Sequence, residues 1–179
     1  LGAVLGEVTV ANLNPESLQG DKIVLNLLKG MGARVLVNEN TVTVQKSELK
    51  AITADLSDCI DLLPTLAVLA AVANGTSRFI GISRARLKES NRVAALREGF
   101  TRMGIKVIEK IDSLTIVGSK PEGSVIDSQD DHRIAMAFSI LGLRAGGTTI
   151  DGAECVQKTY PEFWDMLKRL GGKIKLDVK

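Results

Sequence analysis

A five-residue string that recurs along the chain is the strongest constraint on its fold. Met-Gly-Ala-Arg-Val at residues 31–35 is repeated 72 residues later as Met-Gly-Ile-Lys-Val at 103–107 and, more loosely, as Leu-Gly-Gly-Lys-Ile at 170–174. Each copy follows a stretch with helical hydrophobic spacing, so we interpret its glycine as a left-handed helix C-cap that leads directly into a strand. The recurrence predicts a fold built from repeated α/β units.

The spacing of apolar residues between these strings predicts the order of the elements. Strands are expected near residues 6–13, 33–38, 41–46, 50–54, 76–81, 105–110, 113–117, 123–127, 147–151 and 172–177. Helices are expected near residues 15–30, 58–74, 89–103, 131–146 and 159–170. Residues 50–117 then form a full β-α-β-α-β-β unit between partial units at 1–46 and 123–179, so we expect a single α/β domain, 1–179, that is incomplete at its amino terminus. The alternative is an irregular α/β fold in which the recurrence is accidental.

The composition excludes several classes of function. A net charge of +2 and an aromatic content of 3% argue against bulk binding to nucleic acid or a membrane surface. The longest apolar run, residues 66–73, is too short to cross a bilayer. One histidine and two distant cysteines, Cys59 and Cys155, cannot form a Cys/His zinc cluster and imply no disulfide framework. We therefore expect no metal site, core packing for both thiols and a cytoplasmic location.

Two groups of charged residues fall where the second and third predicted helices begin. In residues 58–64, Asp58 is expected to cap the helix, with Asp61 on the same side one turn later. Residues 83–92 hold four cations and one acid at a strand-to-helix transition, where backbone N–H groups and cations together favour an anion such as phosphate or carboxylate. The alternative for residues 58–64 is a capping turn with an acid that the helix dipole favours, and the alternative for residues 83–92 is a solvated basic loop.

Two further groups mark the starts of the last two helices. In residues 130–133, one aspartate should cap the helix and leave His132 and Arg133 in a first turn where positive charge is disfavoured. In residues 157–164, Lys158 precedes Thr159, the expected cap. The alternative for residues 130–133 is a capping turn with surface side chains, and the alternative for Lys158 is an ordinary solvent-exposed lysine.

All four groups are expected to converge on one surface. Helix starts in repeated parallel units can share one end of a domain, so acids, cations and backbone donors would meet there. Lys88 and Lys158 also stand at comparable places before their helices. The pattern predicts a site for an anionic, phosphorylated substrate, with Asp61 and Glu89 as candidate proton handlers.

Four motifs lie within these groups: Asp-Leu-Leu-Pro-Thr at 61–65, Leu-Lys-Glu-Ser-Asn-Arg at 87–92, Asp-His-Arg-Ile-Ala-Met-Ala at 131–137 and Lys-Thr-Tyr-Pro-Glu-Phe at 158–163. Together they resemble the carboxy-terminal part of the 5-enolpyruvylshikimate-3-phosphate synthase family. The resemblance implies one domain of the two-domain, inside-out α/β fold of enolpyruvyl transferases. It also implies transfer of the enolpyruvyl group of phosphoenolpyruvate to the 5-hydroxyl of shikimate 3-phosphate, with release of phosphate and no cofactor, on the route to chorismate and the aromatic amino acids.

The resemblance further implies a role for each site residue. Asp61 would contact the shikimate hydroxyls and accept the proton of the attacking hydroxyl. Glu89 would handle the proton at the phosphoenolpyruvate methylene, with Lys158 as its competitor. The other implied roles are contacts to the phosphoenolpyruvate carboxylate and phosphate by Arg92, Arg133 and Lys158, contact to the shikimate substrate by Lys88, and ordering of the site by His132.

Two positions depart from the family pattern. Asn91 stands where the family often has Asp, which would leave Arg92 without a neighbouring negative charge. Arg84 stands where some members have Asn, so it is given no role. The amino-terminal domain of such an enzyme, an expected partner, is missing, and the chain begins at Leu1 within the expected fold. We therefore expect the isolated chain to bind phosphoenolpyruvate weakly and to have no useful turnover, because half a site loses the orientation that catalysis requires.

Three other functions remain open from the sequence. The first is a related enolpyruvyl transferase that acts on UDP-N-acetylglucosamine, although the string at 88–92 is not expected there. The second is an RNA-binding module that uses residues 84–102. The third is a structural half-domain without catalysis.

Overall fold

Three small sheets and their connecting helices make up the residues that the computed structural model describes, which are 1–14 and 17–177. The strands are β1 (Glu7–Val10), β2 (Arg34–Val37), β3 (Val42–Gln45), β4 (Thr53–Asp55), β5 (Thr76–Ile80), β6 (Val107–Lys110), β7 (Ser113–Val117), β8 (Val125–Asp127) and β9 (Thr149–Asp151). The α-helices are α1 (Gly2–Leu5), α2 (Val24–Gly30), α3 (Leu63–Ala71), α4 (Arg92–Arg102), α5 (His132–Ala145) and α6 (Phe163–Arg169). Single-turn 3-10 helices cover Gly20–Ile23, Ile60–Leu62, Ser83–Leu87 and Ala153–Lys158.

The middle sheet has the topology expected of the full unit. Its strand order is β4-β5-β7-β6, with β4 and β5 parallel and the other pairs antiparallel. The first sheet is antiparallel with the order β1-β3-β2, and β8 pairs with β9 in parallel. Along the chain, β4-α3-β5-α4-β6-β7 follows the predicted β-α-β-α-β-β order of elements.

The recurring glycines terminate helices as predicted. Gly32, Gly104 and Gly171 have φ angles of +80°, +74° and +89°, which lie in the left-handed region. At each site the next residue donates its N–H to the carbonyl five positions back in the helix, at 2.9 Å in every copy. This hydrogen bond is the signature of the Schellman motif, and it satisfies a helix-end carbonyl that would otherwise lack a partner.

The 72-residue period is also visible in the strands. The segments β4 and β8 are 72 residues apart, and each ends in an aspartate whose carboxylate accepts the backbone N–H two residues later. The acceptors are Asp55, bound by Ser57 at 2.9 Å, and Asp127, bound by Gln129 at 2.8 Å. These turns direct the chain from each strand toward the helix that follows.

Helix α3 forms the centre of the hydrophobic core. Eight of its nine residues are buried, as expected of a helix that is apolar on every side. It packs against α4, α5 and the middle sheet, which places the starts of α4 and α5 close to one another. Within the described ranges, no helix is long and apolar enough to span a membrane.

Two sequence predictions need correction, and one helix was not predicted. Residues 172–177 form no strand, because a strand needs a hydrogen-bonded neighbour and none lies beside this segment in the described chain. The helix expected at 15–30 begins only at Gly20, with its first two residues outside the described part of the chain. The short helix α1 was not predicted.

Candidate active site

The start of α5 is built around Asp131. Its Oδ1 accepts the backbone N–H of Arg133 at 2.9 Å, so Asp131 is the predicted helix cap. The two preceding residues, Gln129 and Asp130, have φ angles of +51° and +55°, which non-glycine residues rarely adopt. This left-handed turn brings the fully buried Asp131 carboxylate under the start of α4.

Arg92, the first residue of α4, joins three carboxylates. Its Nε donates to Asp131 Oδ2 at 2.8 Å, and its Nη1 donates to Asp61 Oδ1 at 2.7 Å. Its Nη2 donates to Glu89, three residues earlier in the chain. The Arg92 side chain is only 1% exposed, so in this conformation its donors are directed at protein carboxylates rather than at solvent. An incoming anion must therefore displace one of the two exposed partners, Asp61 or Glu89.

Asp61 lies between three cations. Besides Arg92, its carboxylate contacts Lys88 Nζ at 3.3 Å and Arg133 Nη2 at 3.7 Å. The Asp61 carbonyl also accepts from Arg133 Nη1 at 3.2 Å. Partial burial raises the pKa of Asp61, but the hydrogen bonds from Lys88 and Arg92 and the charge of Arg133 outweigh burial, so its pKa is lower than usual. Asp61 is thus an ionised hydrogen-bond acceptor at neutral pH.

The pair of Arg92 and Asp131 keeps its charges despite deep burial. Burial raises the pKa of Asp131, yet the hydrogen bond and charge of Arg92 lower it below the usual range. Burial lowers the pKa of Arg92, and Asp131 reverses that effect. Ser90 Oγ completes the site by donating to Asp131 Oδ2 at 3.0 Å. A buried ion pair whose remaining acceptors are hydrogen-bonded can hold a fixed geometry.

Lys158 lies beside the cluster in an exposed ion pair of its own. Its Nζ lies 2.6 Å from Asp130 Oδ2, with side chains 51% and 76% exposed. The hydrogen bond that Lys158 donates to Asp130 raises the pKa of Lys158. Asp130 is adjacent to Asp131, so Lys158 stands beside the Arg92 group while remaining open to solvent.

His132 lies inside the site rather than on its surface. It is 6% exposed, and its buried Nδ1 has no hydrogen-bond partner among the described residues. A buried imidazole at the first position of α5 can order the helix start but presents little surface to a ligand.

Two predicted helix caps are wrong. Asp58 does not cap α3, because the 3-10 turn Ile60–Leu62 comes first and the α-helix begins at Leu63. Thr159 does not cap α6, because the chain remains irregular after Lys158 and the helix begins at Phe163.

The structure shows what Asn91 and Arg84, the two residues that depart from the family pattern, contact. Asn91 caps α4 by accepting the Ala94 N–H at 3.1 Å, and Arg92 obtains its negative charges from three other residues. Arg84 donates to the Ser57 carbonyl, away from the carboxylates.

The structure therefore joins five of the seven predicted site residues by direct contacts in one cluster: Asp61, Lys88, Glu89, Arg92 and Arg133. The other two lie next to it, Lys158 through its ion pair with Asp130 and His132 as the chain neighbour of Asp131. Sequence reasoning missed the ion-pairing roles of Asp130 and Asp131 and the contact of Ser90 with Asp131. The two adjacent aspartates are evident in the sequence. Only the structure shows that the buried Asp131 pairs with Arg92 and the exposed Asp130 pairs with Lys158. Chemically, a carboxylate such as Asp61 can accept hydrogen bonds from hydroxyl groups, and the cations Lys88, Arg133 and Lys158 can bind anions.

Comparison with known proteins identifies the family. The model of the family described as EPSP synthase (3-phosphoshikimate 1-carboxyvinyltransferase) matches residues 1–167. The chain belongs to the EPSP synthase family. The resemblance inferred from the four motifs is thereby confirmed.

Individual relatives agree with this assignment. The chain is 51% identical to a 3-phosphoshikimate 1-carboxyvinyltransferase from Dehalococcoides mccartyi, covering 99% of this chain and 42% of the relative. It is 42% identical to one from Clostridium acetobutylicum, covering 97% of this chain and 40% of the relative. The chain therefore spans about two fifths of the length of these curated relatives.

Solved structures confirm the predicted fold class. An EPSP synthase from Acinetobacter baumannii superposes with a TM-score of 0.85 at 30% identity, covering 97% of this chain and 44% of that chain. An enolpyruvyl transferase from Streptomyces tendae has a TM-score of 0.78 at 21% identity, over 97% of this chain and 41% of that chain, which shows the shared fold alone.

Proposed function

We propose that this chain supplies part of the active site of a 3-phosphoshikimate 1-carboxyvinyltransferase. The enzyme would transfer the enolpyruvyl group of phosphoenolpyruvate to the 5-hydroxyl of shikimate 3-phosphate and release phosphate. The observation that carries the proposal is the convergence of Asp61, Arg92 and Asp131, which come from three separate family motifs, at 2.7–2.8 Å. A second domain, outside this chain, would complete the site as its partner.

The attacking hydroxyl would be bound by Asp61. As the 5-hydroxyl oxygen forms a bond to C2 of phosphoenolpyruvate, its proton passes to the Asp61 carboxylate, whose lowered pKa supports an ionised acceptor. Lys88, 3.3 Å from Asp61, would bind the same substrate and hold it against this carboxylate. Prior alignment of the two reacting groups accounts for a large part of such catalysis.

Glu89 would deliver a proton to C3 of phosphoenolpyruvate. Its side chain is 43% exposed at the edge of the cluster, where a substrate can reach it. Addition of the hydroxyl and this proton would yield a tetrahedral intermediate. A C3 proton would then return to Glu89 as phosphate leaves with the proton held by Asp61, which restores the double bond and both carboxyl groups. Lys158, which is 51% exposed, is the competing candidate for the proton transfer.

The anionic groups of phosphoenolpyruvate would be held by Arg92, Arg133 and Lys158. The carboxylate or phosphate would replace Glu89 or Asp61 on Arg92, which frees those carboxylates for their roles with protons and hydroxyls. His132 would order the start of α5, where the N-terminal end of the helix dipole also favours an anion. Cys59 and Cys155 are buried free thiols, which supports a reducing compartment such as the cytoplasm.

A chimera tests the proposal. The 178 aligned residues of this chain replace the matching part of the Dehalococcoides mccartyi relative, and phosphate release is measured with phosphoenolpyruvate and shikimate 3-phosphate. We expect turnover by the chimera and none by the isolated chain. Asp61→Asn and Arg133→Ala should each reduce kcat/KM by about 100-fold or more, whereas Arg144→Ala, at the far end of α5 from Arg133, should leave it unchanged.

Two outcomes would contradict the proposal. One is a folded chimera that binds neither substrate and releases no phosphate. The other is turnover with UDP-N-acetylglucosamine in place of shikimate 3-phosphate, which would assign the chain to the related transferase reaction.

A further inference from the structure

The 3-10 helix Ser83–Leu87, here called the first lysine turn, leads directly into two site residues but has little apolar packing. Lys88 and Glu89 follow it. Within the turn only Ala85 is buried, whereas Leu87 is 86% exposed. Because apolar burial is the dominant force that fixes a segment in place, a turn without it must depend on polar contacts.

Arg86 supplies most of these contacts. Its guanidinium donates to three acceptors on the hairpin of β6 and β7: the Glu109 carboxylate at 2.5 Å, the Lys110 carbonyl at 2.7 Å and the Ile111 carbonyl at 3.2 Å. A planar guanidinium can satisfy several fixed acceptors together, which an ammonium group does poorly. The Arg86 side chain is 24% exposed, so the contacts are partly shielded from solvent.

Two further hydrogen bonds attach the hairpin to its neighbours, one to the first lysine turn and one to α4. The Ser83 backbone N–H donates to Asp112 Oδ1, in the turn of the same hairpin, at 2.8 Å. The second oxygen of the Glu109 carboxylate, Oε2, accepts from Nε of Arg97, on α4, at 2.8 Å. The hairpin thus holds both the first lysine turn and the helix that begins at Arg92, and the site residues lie between these two attachments.

We infer that Arg86 is a positioning residue of the active site, which holds Lys88 and Glu89 in register with Asp61 and Arg92. The inference rests on the proposed function, because Lys88 and Glu89 meet substrate only in that reaction. In the described structure the polar contacts of the Arg86 guanidinium all lie on the hairpin. Arg86 therefore acts on the reaction through the two residues that follow its turn.

Amide hydrogen exchange on the chimera tests the first part of the inference. Arg86→Met should accelerate exchange at residues 83–90 about tenfold and leave the amides of α5 unchanged. Arg86→Lys should have an intermediate effect, because it retains the charge but not the fork of donors. Lys110→Met is the matched control: it removes a cation from the same hairpin and retains the carbonyl that Arg86 uses.

Kinetics on the same proteins test the second part. Arg86→Met should lower kcat by about 10- to 100-fold and raise KM for shikimate 3-phosphate, since displacement of Glu89 and Lys88 affects both chemistry and binding. Arg86→Lys should recover part of the loss. A merely structural role would lower the melting temperature and leave the kcat of the folded enzyme at the wild-type value.

Each result bears directly on the inference. Faster exchange together with lower kcat in Arg86→Met, but not in Lys110→Met, supports it. Unchanged exchange, or faster exchange with unchanged kcat, overturns it. A folded wild-type chimera without turnover refutes the proposed function and, with it, this role of Arg86, whereas an active wild type with an equally active Arg86→Met refutes the role of Arg86 alone.

Discussion

The first lysine turn, which is followed by Lys88, and its counterpart in the next unit, which ends with Lys158, are fixed in place by different forces. The counterpart is Ala153–Lys158, here called the second lysine turn; like the first, it follows a strand and precedes a helix. Arg86 attaches the first turn to a hairpin by charged hydrogen bonds. The second turn is packed through Cys155 and Val156, which are 3% and 1% exposed, and the indole N–H of Trp164 donates to the Ala153 carbonyl at 3.2 Å.

The contrast shows that a repeated backbone can be fixed by either charge or apolar burial. Ion pairs are directional but respond to pH and salt, whereas apolar packing is nearly indifferent to both. The first turn leads into Glu89, a candidate proton handler whose side chain must be held in a defined orientation. The second turn ends in the exposed Lys158, and apolar packing of the turn is enough to fix the backbone that carries this side chain. We expect the two turns to respond differently to the same perturbations.

The largest effect should come from the buried carboxylate of Asp131. It binds Arg92, which in turn binds Glu89, whereas its exposed neighbour Asp130 binds Lys158. Asp131→Asn should lower the free energy of unfolding by about 3–5 kcal/mol, because it removes the buried negative charge that compensates the desolvated guanidinium of Arg92. Chemical denaturation measures this change. Asp130→Asn, a change in the adjacent exposed aspartate, should cost less than about 1 kcal/mol, and equal losses would contradict the assignment of roles.

An intermediate effect is expected from the packing of the second turn. Val156→Ala should lower the free energy of unfolding by about 2 kcal/mol, from two lost methyl groups and the cavity that they leave. Leu87→Ala is the matched change in the first turn, and its exposed side chain predicts a loss within about 0.5 kcal/mol. If Leu87→Ala cost as much as Val156→Ala in chemical denaturation, the first turn would not depend on polar contacts.

The smallest effect is a pH dependence confined to the first turn. Burial raises the pKa of Glu109, but hydrogen bonds and charges from Arg86 and Arg97 lower it below the ordinary 4.5. A lowered folded-state pKa means that this stabilisation is present above pH 4.5 and is lost as the pH falls through the folded value. The protection factors of amides in the first turn, which compare exchange with its intrinsic rate at the same pH, should therefore fall in acid more than those in the second turn.

The variant Glu109→Gln isolates that effect. It should accelerate exchange in the first turn already at pH values above 4.5 and reduce the further change on acidification. Some pH dependence should remain, because Asp61, which binds Lys88, also has a lowered pKa. An unchanged acid response in Glu109→Gln would show that Glu109 does not attach the turn.

Much of the site was predictable because its signals are local. A glycine after an amphipathic stretch predicts a left-handed cap, since that backbone conformation depends on a few neighbouring residues. The clustering of charges at helix starts was visible for the same reason. The failed caps, Asp58 and Thr159, lie where a 3-10 turn or an irregular stretch precedes the α-helix, and nothing in residue spacing reveals that delay.

The identity of ion-pair partners could not be predicted in the same way. The sequence shows two adjacent aspartates and several cations, but one residue of difference in position makes Asp131 fully buried and leaves Asp130 exposed. That outcome depends on the left-handed turn before α5 and on how α4 crosses it. Similarly, residues 172–177 form no strand because no strand lies beside them in the described ranges, and not because of their residue types.

The sequence by itself determined the repeated α/β architecture, the helix ends at the recurring glycines, the four charged groups and the family to which they point. These features depend on backbone preferences and residue types over a few positions. Only the tertiary structure decided which carboxylate neutralises Arg92, that Lys158 stays exposed, and that Arg86 supports the segment with Lys88 and Glu89. Those facts depend on desolvation and on distances between residues far apart in the chain, which the packing of helices and sheets sets.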